Sequence, residues 1–298
     1  MAEKMTKYYV PDSSPWPLSA SIGLFLIAIG GANFIQQSTE FGQNTLRNTG
    51  TWGQYPLILG ALWLIAVLFF WWRDTIRESV NGLHSDQLGG SYRQGMIWFI
   101  FSEVMFFGAL FGALFYTRWL IIPWLGGEGS NAMTHEILWP DFQAIWPLTT
   151  APDGRTTQVM GAWGLPAINT AILIVSSITL TIAHHALVAG ERGKLILFQG
   201  LTIVLGLIFL SLQALEYVHA YDMGLTLDAG MYGSLFFFLT GFHGIHVTLG
   251  TIMLIVMFFR ILKGHFSKEN HFAYEATAWY WHFVDIVWLF LFVVVYWL

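Results

Sequence analysis

The chain contains no cysteine. Disulfides, thiolate metal sites, iron–sulfur clusters and haem attached through Cys-x-x-Cys-His are therefore excluded. Charge is scarce as well: Asp, Glu, Lys and Arg make up 10% of the residues, against roughly 25% in a soluble domain. There is no basic tail, Gly-rich phosphate loop or nucleic-acid motif, so nucleic acid is not an expected partner. No internal repeat stands out, which leaves an inverted-repeat transporter unsupported. What the 298 residues do contain is apolar surface: 55% are hydrophobic, with 15 Trp and 25 Phe. The composition predicts an all-α integral membrane protein.

A membrane-crossing helix needs about 20 mostly apolar residues. Seven stretches qualify, at 17–37, 55–73, 94–122, 165–189, 194–218, 230–260 and 272–298. The organisation read from them is an N-terminal segment 1–16, two helices over 17–73, a connection over 74–93, and five helices over 94–298. The run beginning at Leu18 is long for a signal peptide and has no clean cleavage site after it, so it reads as a retained helix. With the N-terminus in the cytoplasm, the inside segments hold Lys4, Lys7, Arg73, Arg77, Arg93, Arg192, Lys194, Arg260, Lys263 and Lys268. The outside segments hold Arg47, Arg118 and Arg155, so ten against three accounts for all 13 Lys and Arg. This positive-inside bias fixes the orientation, with the C-terminus outside. The longest connection, 122–164, lies outside and reads either as a partner surface or lid, or as variable decoration.

Ionisable groups inside the spans are the informative residues, because they are costly there. Glu275, Trp279, His282 and Asp285 are spaced by four, three and three. That spacing predicts one polar stripe, with lipid-facing residues over the rest of the helix. Glu103 lies about eight residues into the third span, roughly 12 Å from its inner end. It reads either as a proton-exchanging carboxyl or as a neutral acid bonded to a neighbouring helix. His243 and His246 share a helix face. They can contribute to a metal site, or bond across a close helix contact marked by Gly241, Gly244 and Gly250. His184 and His185 point about 100° apart and read as interfacial. Glu216 reads as solvated near the outer face. Trp71-Trp-Arg-Asp-Thr-Ile-Arg-Glu78 places aromatic rings beside arginines at headgroup level, which suits an anionic lipid or an ordinary anchor.

These motifs together resemble subunit III of haem–copper cytochrome c oxidase. The matching pieces are Ser14-Pro-Trp-Pro-Leu18, the segment Trp71 to Glu78, Tyr92-Arg-Gln-Gly-Met96 with Ser102-Glu103, and Ala183-His-His-Ala-Leu187. They continue with Leu212-Gln-Ala-Leu-Glu-Tyr217, Tyr232-Gly-Ser, Gly241-Phe-His-Gly-Ile-His246 and Glu275 to Trp288. Each piece is weak alone; their order along the chain is specific. The loop 122–164 looks longer than in mitochondrial relatives, so no role is carried onto residues 125–160.

The resemblance implies a two-helix and a five-helix group with a V-shaped cleft that holds phospholipids. It implies Trp72, Arg77, Glu78, His84, Arg93 and Arg260 as lipid contacts, and Glu103 as the family's carbodiimide-reactive carboxyl. Polar packing roles are expected for His243, His246, Glu275, His282 and Asp285 from their spacing, and the resemblance implies no catalytic or metal-ligating residue. Haem a and copper are expected in partner subunits. The implied partners are subunit I, subunit II, small accessory subunits, phospholipids and cytochrome c as donor. The expected location is a bacterial inner membrane, with a mitochondrial inner membrane as the alternative. The rivals are subunit III of a quinol oxidase, a metal-bearing electron carrier using His243 and His246, and a proton-relay transporter using Glu103, Glu275, His282 and Asp285.

Overall fold

A computed structural model describes residues 9–10, 13–38, 52–152 and 154–297. Lys4, Lys7 and Arg47 of the charge pattern lie outside the described residues. Among the described residues the regular structure is helical, apart from a single bridge between Thr150 and Thr156. Seven helices are long and apolar enough to cross a membrane. The chain divides into two compact units, Met1–Tyr92 and Arg93–Leu298.

The first unit is built on α1, Trp16–Ser38, and α2, Gln54–Val80. Pro17 falls in the first turn of α1, where its missing N–H costs nothing. In lipid, helix association rests on close packing rather than on a hydrophobic drive. Gly60 provides it: a Cβ there would come 2.8 Å from the Gly23 carbonyl oxygen and 2.8 Å from the Ile27 nitrogen. The hairpin is pinned at two levels. Trp63 Nε1 donates to the Ser19 carbonyl at 2.9 Å, and Trp16 Nε1 donates to Asp74 at 3.2 Å.

The second unit holds most of α3, Asp86–Tyr116, then α4, Leu165–Ala189, α5, Arg192–Asp222, α6, Met231–Leu262, and α7, Phe272–Leu291. A π turn, Thr117–Ile121, continues α3, and another, Phe292–Trp297, continues α7. Gly190 ends α4 in the left-handed region (φ 82°). Its N–H reaches the Leu187 carbonyl and that of Glu191 reaches Ala186, the paired bonds of a Schellman ending. The turn returns the chain at once into α5.

Three expectations are corrected here. The segment 74–93 is mostly helix: α2 runs on to Val80 and α3 starts at Asp86. Polar residues hid these ends, since hydropathy stops where a helix leaves the apolar layer while its backbone bonds continue. The connection 122–164 contains a short helix, Ala132–Leu138, and sends Phe142, Leu148 and Met160 into the core. Trp139 and His135 both bond the Leu125 carbonyl, at 2.8 and 2.9 Å. Finally, α7 does not present lipid-facing residues around most of its girth. Tyr274, Tyr280, Trp281, Val284, Trp288 and Leu291 are all buried, and the helix lies at the centre of the unit.

Trp281 shows how α7 holds that place. Its indole is fully buried and lies against Gly206 of α5 and Gly250 of α6, where added Cβ atoms would come 2.9 and 2.8 Å from the ring. Its Nε1 donates to Ser176 Oγ of α4 at 2.7 Å. One side chain therefore joins four helices, and its one polar atom is satisfied, as burial requires.

Candidate functional site: an acid–imidazole pair among buried polar contacts

Glu103 on α3 and His246 on α6 meet directly, with Oε2 and Nε2 2.8 Å apart. The pair is mostly sheltered, the side chains being 21% and 13% exposed. The surroundings are aromatic: the His246 ring lies 4.9 Å from that of Phe107 and stacks on Tyr280 at 6.4 Å. The other nitrogen, Nδ1, lies 2.7 Å from the Phe242 carbonyl one turn earlier. A carbonyl only accepts, so Nδ1 carries a hydrogen. A neutral imidazole then presents a bare Nε2, which must accept a proton from Glu103; a protonated one donates to the carboxylate. Glu103 lies 17 residues beyond the start of α3, about 25 Å along it, and so deeper in the helix than the apolar run alone places it.

His243 shares a face with His246 but not its chemistry. It is 1% exposed, and Nε2 donates to the Val284 carbonyl of α7 at 3.2 Å. Its ring lies 5.0 Å from Trp288. The two imidazoles therefore use their nitrogens on different partners and do not converge. Among the described residues no group of three or more His, Asp or Glu side chains is arranged to hold a metal ion. The glycine reading is corrected in part: Gly250 is a close contact, while a Cβ on Gly244 would meet nothing within 4 Å.

The polar groups of α7 do not form one interaction stripe. Glu275 pairs with Arg93 of α3 at 3.0 Å, and Arg93 also lies over the Phe272 ring, 5.3 Å from its centroid. His282 Nδ1 meets Ser177 Oγ of α4 at 2.7 Å. Asp285 is 6% exposed, with Ser177 of α4 as its polar neighbour. Glu216, expected to be solvated, is fully buried, with Gln213 and Tyr296 as its polar neighbours. Its neighbour on α5, Gln213, also bonds Asn169 of α4 at 3.4 Å.

The residues expected to meet lipid fall in both units. In the first, Trp72 is 46% exposed, Arg77 is exposed with Asp74 3.8 Å away, and Glu78 accepts from Tyr9 at 3.4 Å. The His84 ring lies 5.3 Å from that of Tyr92. In the second, Arg93 is held by Glu275, and Arg260 is 7% exposed with its guanidinium 4.5 Å over the Phe266 ring. Sequence reasoning missed the polar contacts that fasten α4 and α5 to their neighbours. Gln199 accepts from Tyr274 at 2.7 Å and donates to the Leu254 carbonyl at 3.0 Å, and Thr179 meets Thr202 at 2.8 Å. Their signal was a lone Gln or Thr inside an apolar run.

Comparison with known proteins bears on the same elements. The sequence family described as Cytochrome c oxidase subunit III matches residues 6–298. A Cytochrome c oxidase subunit 3 from Prototheca wickerhamii is 41% identical over 290 residues, covering 97% of this chain and 96% of the relative. One from Cyprinus carpio is 40% identical over 298 residues, covering 100% and 99%. One from Arabidopsis thaliana is 38% identical over 291 residues, covering 97% and 96%. Matches of this extent take in every helix and both members of the Glu103–His246 pair, and on them the chain belongs to the cytochrome c oxidase subunit III family.

Proposed function

We propose that the chain is the accessory, non-redox subunit of a proton-pumping cytochrome c oxidase, the complex that passes electrons from cytochrome c to oxygen and forms water. It flanks subunit I, in one assembly with subunit II and small accessory subunits. Haem a and copper belong to those partners. This chain binds phospholipid, supports proton uptake by subunit I and protects the complex during turnover. The observation that carries the reading is the Glu103–His246 pair. An acid hydrogen-bonded to an imidazole is proton chemistry, and neither group exchanges an electron. The transporter reading is less well supported, because Glu103, Glu275 and His282 each end on a different partner rather than on one another.

Trp72, Arg77, Glu78, His84, Arg93 and Arg260 are the proposed lipid contacts. Aromatic rings and guanidinium groups at headgroup depth match an anionic phospholipid. The proposed location is a bacterial inner membrane with the N-terminus cytoplasmic, and a mitochondrial inner membrane is the competing one. The test is gentle purification through a tag on this chain, read by visible absorption and subunit mass. Haem a bands and a large haem-bearing partner are expected; a colourless chain alone would sink the oxidase reading. In the same preparation, Arg77→Ala with Arg260→Ala is expected to lower phospholipid content and shorten the active lifetime. Arg77→Ala alone, at an exposed position, separates lipid loss from misfolding.

A further inference from the structure

Where α4 ends, α5 begins and α6 gives way to α7, a cavity of about 360 Å³ opens in the second unit. Its walls are apolar at Leu187, Leu195, Ile261 and Phe266, and two cations, Arg192 and Lys268, stand among them with Glu269. Both cations lie over glycines. Gly190 and Gly264 adopt positive φ (82° and 70°), which side-chain-bearing residues rarely tolerate. A Cβ on Gly190 would come 2.9 Å from Lys268 Cε, and one on Gly264 would come 3.6 Å from Arg192 Nη1. Arg192 is held in place by donating from Nη2 to the Leu262 carbonyl at 2.8 Å.

Neighbouring Lys194 is neutralised by Glu191 at 3.2 Å. Among the described residues neither Arg192 nor Lys268 has such an ion pair. Positive charge is concentrated at this end. His265 is lowered from its ordinary value, first by desolvation and then by Arg260 and Lys263. A roomy site with an apolar wall and two cations outside any ion pair, one of them held by a backbone carbonyl, suits an anion with an apolar continuation.

We propose that this cavity binds a phosphate group through Arg192 and Lys268. A phospholipid headgroup brings that phosphate with an acyl chain for the apolar wall, and free inorganic phosphate brings it without one. Arg192 and Lys268 are not among the lipid contacts proposed above, although Arg260 of that set packs on the Phe266 wall. The test uses the purified oxidase complex and the variant Arg192→Gln/Lys268→Gln. If the source is lipid, native mass spectrometry shows the variant complex retaining one phospholipid fewer than the wild type. If it is free phosphate, lipid content is unchanged, but the ³¹P line of inorganic phosphate broadens with wild-type complex and not with the variant. Equal lipid content together with equal phosphate broadening overturns the proposal. Arg192→Gln also removes the bond to Leu262, so Lys268→Gln is measured alone. It is expected to weaken occupancy about tenfold, the worth of one charge-assisted contact, with Lys268→Arg restoring it; no change in Lys268→Gln counts against the site.

Discussion

Glu103 and His246 stand 143 positions apart in the chain, yet Oε2 of the acid lies 2.8 Å from Nε2 of the imidazole. The Phe242 carbonyl fixes the hydrogen of His246 on Nδ1. The other nitrogen therefore either takes its proton from the acid or gives one to the carboxylate. The pair couples α3 to α6 by a bond that works in both states.

Glu103→Gln retains a donor, because the amide N–H can reach the bare Nε2. It is expected to leave assembly and most electron transfer intact. Glu103→Leu strands Nε2 among Phe107 and Tyr280. An unmet buried acceptor costs about 1–3 kcal/mol, so this variant is expected to lower the melting temperature of the purified complex where the glutamine variant does not. Equal destabilisation by both would mean that the hydrogen bond is not what holds α3 to α6.

Trp281→Phe removes the donor to Ser176 and part of a ring packed against Gly206 and Gly250. The lost volume and the orphaned hydroxyl act together, for an expected cost of about 2–4 kcal/mol. A second change, Ser176→Ala, is expected to cost much less when combined with Trp281→Phe than in the wild type. A double-mutant cycle on thermal stability reads the difference, and strict additivity would show that the Trp281–Ser176 bond contributes nothing.

The seven spans were legible because hydropathy over about 20 residues is a strong signal, and the family could be read from short motifs in the right order. Pairing was not legible. Glu103 and His246 were both singled out, yet nothing in their spacing joins them, since the contact depends on how α3 and α6 rotate about their axes. The same holds for Arg93 and Glu275, which were assigned separate roles. Glu216 failed for another reason. Near a predicted helix end a carboxyl is assumed to be wet, and only the packing of its surroundings shows it to be buried.

Asp228, in the turn between α5 and α6, supplies a pH test outside the spans. The Thr226 hydroxyl donates to its Oδ1 at 2.7 Å and holds the carboxyl below its ordinary value. A depressed value means that the ionised form is favoured in the fold. The contribution is present above the unfolded carboxylate value and is lost as pH falls through the folded one. Protection factors of residues 224–230, with the intrinsic pH dependence of exchange divided out, are expected to fall on acidification. In Thr226→Ala the onset is expected at a higher pH; an unchanged onset would remove Thr226 as the cause.

Gly244 and Gly250 lie on the same helix and look alike in sequence, but their surroundings set them apart. A Cβ on Gly250 would stand 2.8 Å from Cε3 of Trp281, a buried ring locked by its bond to Ser176. The ring cannot yield without breaking that bond, so α6 must move away from α7. Overpacking of this kind costs about 1–3 kcal/mol. A Cβ on Gly244 meets nothing within 4 Å, and alanine there favours the helix by about 1 kcal/mol where tertiary packing is not involved. Gly250→Ala is thus expected to lower the melting temperature of the purified complex, with Gly244→Ala unchanged or slightly raised. Both variants keep every polar contact around His243 and His246, so a loss confined to Gly250→Ala isolates the close approach of α6 and α7. An equal loss in both would point instead to glycine being required by the α6 backbone itself.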